Sequence, residues 1–318
     1  MNILFVTGSG SAFFNSLLVC LQSFAERMPG RRLFVCDFGF THAQAAFLRC
    51  IGLLLERPPE LAAGGGVHCK AGLLSYLRHG GHDVGDDDVM VWLDADLTFM
   101  EIGVGDFETV IAAMSSARAG IAGPEPLGRT IGQMLSTMPE GMAPSARVVA
   151  EAAVDPSLPY VSSGLFFCRS AAALRHWQEL AHAVADSPLF EQNMFNVVLH
   201  RDRIAFLALD CEEWQAQGPL LDRIRLVPSA HGGRPVARIG NKNIKTLHAT
   251  SGLQGHLLIG LCRMTVPNLD LAGPFKLFLA EPLRMHQLQL LASFVAEHGE
   301  TLLRFGICTP AARPAAGF

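Results

Sequence analysis

The run Val89-Met90-Val91-Trp92-Leu93 constrains this chain most: five consecutive apolar residues, closed by two acids one residue apart, Asp94 and Asp96, within VMVWLDADLTFM. A strand with no polar alternation has no face to offer to water, so it must be covered on both sides, as the strands of a parallel sheet between helices are. The two carboxylates at its carboxyl end stand where sheets of that kind gather their ligands.

Other segments share the rhythm. NILFVT (2–7) is a short apolar run broken by GSGS, after which Phe13, Leu17, Leu21, Phe24 and Met28 recur at helical spacing. Residues 32–37 read as a second strand, and Thr41 as the N-cap of a helix reaching about residue 55. A loop over 56–66, a helix over 70–78 and the stretch GHDVGDDD lead into the strand at 89–93. Beyond it the pattern predicts a helix at 106–117, a strand at 120–122 and a Pro/Gly/Met-rich variable insert or lid at 123–150. There follow a strand-like YVSSGLFFC (160–168), helices at 170–185 and 188–200, short strands in IAFLALD and IRLVP, and IKTLHATSG at 244–252. The C-terminal end reads as helical, with a frayed tail. Strands alternating with helices predict an α/β fold: a mostly parallel, Rossmann-like sheet flanked by helices.

Composition narrows the function. Half of the 318 residues are hydrophobic and 17% are charged, enough apolar material for one large or two fused domains. The net charge is −4 with the basic residues scattered, which argues against nucleic acid as a partner and against direct attraction to an anionic membrane. No run reaches the roughly 18 apolar residues of a membrane span. The N-terminal apolar run has no basic start and breaks after six residues, unlike a secretory signal. The eight cysteines form no C-x-x-C pair and read as reduced core residues of a cytoplasmic protein. Only four residues are lysine (70, 242, 245 and 276), so where they stand matters.

Three readings compete for LDADLTF. Aspartates at a strand end cap the following turn readily. Asp94, Asp96 and Thr98 also resemble the Asp-x-Asp-x-Thr motif of haloacid-dehalogenase-type phosphatases, although that family carries it on its first strand and follows it with a lysine and an acid pair not found in order here. The third reading is the D-x-D of a nucleotide-sugar glycosyltransferase of GT-A fold, whose carboxylates hold a divalent cation against a diphosphate.

Six segments in order carry the third resemblance: FVTGSGSAFFNSLLVCLQSF, VCDFGFT, LDAD, YVSSGLFF, FEQNMFN and LHATSG. Together they span about residues 1–255 and are similar to glycosyltransferase family 8 and its relatives, the group of glycogenin and bacterial lipopolysaccharide galactosyltransferases. The resemblance implies a GT-A catalytic domain over 1–255, its nucleotide-binding half at 1–100 and its acceptor half at 101–255, followed by a helical C-terminal extension and tail at 256–318. It implies Asp94, Asp96 and His248 as ligands of Mn²⁺ or Mg²⁺, an oxygen and imidazole set suited to such ions. It implies that Thr7, Gly8, Ser9, Asp37, Lys70, Asp94, Ala95, Ser162, Ser163, Lys245 and Gly252 bind the nucleotide sugar. Glu191 and Gln192 are implied at the reacting sugar, Glu191 ionised at a helix N-terminus.

The chain departs from that pattern in places. The first-strand loop offers Thr7, Gly8, Ser9, Gly10 and Ser11 where relatives have an acid that reads the base. Ser162 replaces a common asparagine and Glu191 a common aspartate, whereas Gln192 and Asn196 match. Gln254 stands six residues after His248, where some relatives have a lysine that clamps the diphosphate, so that clamp is either absent or supplied by Lys245. The implied partners are a nucleoside diphosphate sugar, by analogy a UDP-sugar, and a hydroxyl on a glycan, glycolipid or small molecule, with retention of configuration. Peripheral membrane contact through a lipid-linked acceptor and an oligomer are compatible with it. A phosphatase, a nucleotidyltransferase on a similar sheet and a catalytically silent sugar-nucleotide binder are the alternatives.

Overall fold

A computed structural model describes residues 2–61, 66–85, 87–125, 128–137, 143–183, 190–228, 235–250, 256–266 and 268–311. Strand β1 (Ile3–Ser9) leads through a single 3-10 turn into helix α1 (Phe14–Arg27), then β2 (Leu33–Asp37), α2 (His42–Cys50) and a two-residue strand β3 (Leu54–Leu55). Two short helices, α3 (Gly66–Ala71) and α4 (Leu73–His79), precede β4 (Val89–Leu93), β5 (Leu97–Phe99), α5 (Val104–Ala117) and β6 (Ile121–Pro124). The second half runs α6 (Ile131–Ser136), α7 (Ala143–Glu151), β7 (Leu165–Cys168), α8 (Ala171–Ala183), α9 (Phe190–Arg201), β8 (Phe206–Leu209) and α10 (Cys211–Trp214). Short strands β9 (Arg225–Val227), β10 (Val236–Ile239), β11 (Lys242–Asn243) and β12 (Thr246–His248) follow, then β13 (Leu257–Thr265), β14 (Leu269–Phe278), α11 (Glu281–Arg304) and β15 (Cys308–Pro310).

The expected mixed α/β architecture with a mostly parallel sheet is present. Seven strands lie in the order β3-β2-β1-β4-β7-β6-β8, and every neighbouring pair is parallel except those made by β7. All five residues of β4 are buried, and they alternate between two cores: Val89, Val91 and Leu93 pack with α1, α5 and α11 on one face, Met90 and Trp92 with α4, α8 and α9 on the other. The unbroken apolar run is thus explained by helices on both faces.

Three local differences have physical reasons. Helix α2 stops at Cys50, short of the expected 55, because Gly52 at φ +72 turns the chain into edge strand β3. Its start is as read: the Thr41 hydroxyl accepts the Gln44 N–H and the Gln44 side chain accepts the Thr41 N–H, a capping box. The single helix expected at 70–78 is two, divided at Gly72, where a Cβ would lie 2.4 Å from a Leu61 methyl.

The C-terminal part is only half helical. Strands β13 (Leu257–Thr265) and β14 (Leu269–Phe278) pair as a β-hairpin before the 24-residue α11, and β15 returns to β14. Strand β14 contains Gly273 and Pro274. The proline is tolerated because β15 covers only Leu269–Leu271, so Pro274 has a strand on one side and owes no hydrogen bond on the other. Phe275 of the hairpin and Leu290, Leu291 and Phe294 of α11 join the same core as β1 and α1. Among the described residues no helix is long and apolar enough to cross a membrane.

Phe107 of α5 ties these layers together, its ring 4.9 Å from Phe5, 5.6 Å from Phe167 and 5.8 Å from Trp214. Phe107→Ala is expected to lower stability by about 3–5 kcal/mol through the cavity it leaves, read as a shift of the urea midpoint.

Candidate active site

The carboxyl ends of β1, β2 and β4 open into a cleft of about 410 Å³. Its lining comes from the loop Gly8–Phe13, from Phe38 and Gly39 after β2, from Asp94, Ala95 and Asp96 after β4, and from Lys70, Glu191 and Lys276. Close packing shapes the first wall. Phe38 stacks on Trp92 at 6.0 Å, and its ring lies so near Gly8 that a Cβ there would meet it at 2.3 Å. The Phe38 N–H donates to Ser9 C=O and the Ser11 N–H to Gly39 C=O, locking the two loops.

Asp94 to Leu97 make the tight turn between β4 and β5, the Leu97 N–H donating to Asp94 C=O at 3.1 Å. The turn uses backbone, not the carboxylates. Asp94 Oδ1 accepts from Lys70 Nζ at 2.8 Å and from Trp92 Nε1 at 2.7 Å, and Asp96 Oδ2 pairs with Lys276 Nζ at 2.6 Å. Strand β12 lies antiparallel to β5 with His248 opposite Leu97, which brings Nε2 to 3.1 Å from Asp96 Oδ1 and 3.6 Å from Asp94 Oδ2. Ligand atoms of Asp94, Asp96 and His248 lie within 4.8 Å of one another. The capping reading is therefore replaced: these carboxylates face cations and an imidazole.

The electrostatics follow from that crowding. Burial works to raise both aspartates, but Lys276 and His248 hold Asp96 far below the usual carboxylate range, and Lys70 and His248 hold Asp94 below it. Burial works to lower His248, and the carboxylates of Asp96 and Asp94 outweigh it, raising the imidazole to about 9. Burial raises Glu191, with Lys70 opposing only in part. Desolvation at this buried site works against the helix N-terminus, which was expected to keep Glu191 ionised.

Glu191, at the first turn of α9, lines the cleft beside Lys70, with Oε1 at 3.9 Å from Nζ and Oε2 buried without a partner. Gln192 does not line it. Its Oε1 accepts the Ser163 N–H at 3.1 Å and its Nε2 donates to Tyr160 Oη at 3.1 Å, so it shapes the 160–164 bend. Asn196 pins the same bend through both polar groups of Val161. Ser163 Oγ accepts from Lys70 at 3.2 Å, whereas Ser162 Oγ accepts the Gly164 N–H and stays internal.

Of the other expected residues, Gly8, Ser9, Lys70, Ala95 and the two aspartates line the cleft. Thr7 is buried inside β1, and Asp37 spends Oδ1 on the Gly39 and Phe40 N–H groups of its own turn. Lys245 is a correction: its Nζ pairs with Asp106 at 2.5 Å and lies over the Trp214 ring, so these two partners hold it away from the cleft lining. Gly252 lies outside the described residues. Lys276, from β14, lines the cleft where Lys245 does not. Its signal was available in the scarcity of lysine, but nothing local in GPFKLF points to the cleft.

No family model matches the chain, and no curated protein matches it. It is similar to solved structures that include the apo structure of WbbM, a bifunctional glycosyltransferase, with a TM-score of 0.47 and 10% identity over 68% of this chain and 40% of that one. Galactosyltransferase LgtC in complex with donor and acceptor sugar analogs matches with a TM-score of 0.43 and 17% identity, over 67% of this chain and 75% of that one. An active-site mutant of LgtC gives a TM-score of 0.43 and 13% identity, over 78% and 86%. The chain spans 40% of the length of the WbbM structure.

Without a bound cation, the imidazolium of His248 sits between two carboxylates. Its folded value of about 9 exceeds the usual 6.5, so its contribution to stability is complete below about pH 6.5 and is lost as pH rises to about 9. Chelator-treated protein should therefore melt at progressively lower temperature across that window, and His248→Gln should flatten the slope; parallel profiles would remove this account.

Proposed function

We propose that the chain is a glycosyltransferase of GT-A type that moves a sugar from a nucleoside diphosphate sugar, a UDP-sugar in the first instance, to a hydroxyl acceptor. The observation that carries this reading is the convergence of Asp94, Asp96 and His248 Nε2 at the mouth of a cleft that also holds two buried lysines. The three groups fit a divalent cation such as Mn²⁺ or Mg²⁺. Asp94 Oδ2 and Asp96 Oδ1 turn toward His248, while their outer oxygens are held by Lys70 and Trp92 and by Lys276. When bound, the cation supplies charge that stabilises the diphosphate leaving group.

The chain's own residues do the rest. Gly8 to Ala12 and Phe38 wall the nucleoside, Gly8 lacking the Cβ that would meet the Phe38 ring. Lys70 and Lys276 offer ammonium groups to the phosphates, and the negative charge of the aspartates keeps both lysines oriented. Glu191 Oε2, buried and unpartnered on the cleft wall, is free to accept a hydrogen bond from a donor sugar hydroxyl. Gln192 acts one step back, holding the Ser163 N–H and so the edge on which the sugar rests. In this reading residues 1–100 bind the nucleotide and 101–255 border a glycan, glycolipid or small-molecule acceptor, with the hairpin beyond 255 lending Lys276 to the donor side. A lipid-linked acceptor would bring the protein to a membrane surface from the cytoplasm.

Calorimetry with UDP tests the reading: affinity should depend on Mn²⁺ and vanish in part with chelator, and Asp96→Ala should lose the Mn²⁺-dependent portion while staying folded. Equal affinity with and without the ion would sink it. Lys276→Ala should weaken UDP by on the order of tenfold, the loss of one charged contact, whereas Lys245→Ala should leave it unchanged. Glu191→Ala should keep UDP affinity within about twofold yet lower transfer by on the order of 10²-fold, as expected for a contact made mainly in the transition state.

A further inference from the structure

Gln215 is fully buried one residue beyond α10, on backbone that is tied down on both sides. Its N–H donates to Cys211 C=O at 3.1 Å, the Ala216 N–H to Thr246 C=O at 3.1 Å, and the His248 N–H to Ala216 C=O at 2.9 Å. Its amide group lies 2.9 Å from His248 Nδ1, and the other end of that amide is buried with no partner. Burying a carboxamide for one contact is costly, so the contact must matter to something. Gly164 makes the room: a Cβ there would stand 2.3 Å from the Gln215 amide nitrogen and 2.9 Å from His248 Cε1.

The two ring nitrogens of His248 have different tasks. Nε2 faces Asp96 and Asp94, and to offer a lone pair to a cation there it must carry no proton. The ring proton then belongs on Nδ1, where it needs an acceptor. An amide's oxygen and nitrogen are nearly alike in shape, and because the far end of this one makes no hydrogen bond, turning it over to set Oε1 against Nδ1 breaks none. We propose that Gln215 is the positioning residue of the cation site: its Oε1 accepts the Nδ1–H of His248 and so holds the tautomer and ring orientation that leave Nε2 bare between the two aspartates. The inference rests on the cation-dependent reading above.

Mn²⁺ alone, without nucleotide, is the probe, and the unbound ion is counted by its paramagnetic resonance signal. Wild type should bind Mn²⁺. Gln215→Met, equal in length but without an acceptor, should bind about 10–100-fold more weakly, the usual loss when a ligand's outer partner is removed. Gln215→Glu, which keeps an acceptor, should restore binding to within about threefold of wild type. A Met variant that is folded by circular dichroism and binds like wild type overturns the inference and leaves the cation reading standing, whereas a wild type that binds no Mn²⁺ overturns both. Nitrogen-15 spectra of His248 in wild type loaded with diamagnetic Zn²⁺ decide the matter even if the Met variant does not fold. A protonated Nδ1 with a coordinated Nε2 supports the assignment, and the reverse tautomer overturns it.

Discussion

Two half-buried carboxylates side by side in one cleft repel each other unless cations stand beside them, and the folded chain is arranged around that requirement. Asp94 and Asp96 lie side by side after β4, and three cationic groups reach them from three separate parts of the chain. Lys70 comes from α3 on one face of the sheet, His248 from the small antiparallel pair of β12 and β5, and Lys276 from the C-terminal hairpin. Removing any of them leaves negative charge in a desolvated place, where it costs most.

This constraint gives the C-terminal segment its place. The hairpin lies along α1, where the Asn15 amide donates to Pro274 C=O, and it carries Lys276 over the Phe13 ring to Asp96. The apolar residues of α11 bury the outer side of α1, whose residues from Phe14 to Phe24 are all buried. A helix packed in this way anchors its preceding loop, Gly10 to Phe13, at the cleft. Packing and electrostatics thereby act on the same few elements.

The second half of the site is held by amides instead of charges. Gln192, Asn193 and Asn196 bond Ser163, Tyr160 and Val161, so the bend before β7 is pinned to α9. Side-chain amides satisfy both polar groups of a backbone that no strand can pair, which a non-repetitive segment beside a cleft requires. Glu191 touches that network only at its edge, Oε1 accepting from Ser163 Oγ at 3.5 Å, and its other oxygen is buried without a partner. It is the polar group of the wall left free to meet a ligand, and the functional reading gives it that task.

Much of the fold was legible because its signals are local. The unbroken run 89–93 implied cover on both faces, and Met90 and Trp92 indeed pack opposite Val89, Val91 and Leu93. The Thr41 N-cap, the Gly-rich turn after β1 and the acids after β4 were likewise visible in a few consecutive residues. The hairpin at 257–278 was not, because Pro274 is tolerated only by an edge that another part of the chain leaves unpaired. Lys245 was a candidate for the diphosphate clamp, the alternative being that the clamp is absent, but the tertiary fold brings Asp106 and the Trp214 ring beside it and holds it away from the cleft. Lys276 and Gln215 have no local signature: their roles depend on separations in sequence of 180 and 33 residues from the groups they touch. Sequence by itself determined which strands are buried, which turns are tight and that acids stand at a strand end. Tertiary structure decided which distant cations and amides meet those acids, since charge pairing in a buried cleft depends on distances that no local pattern encodes.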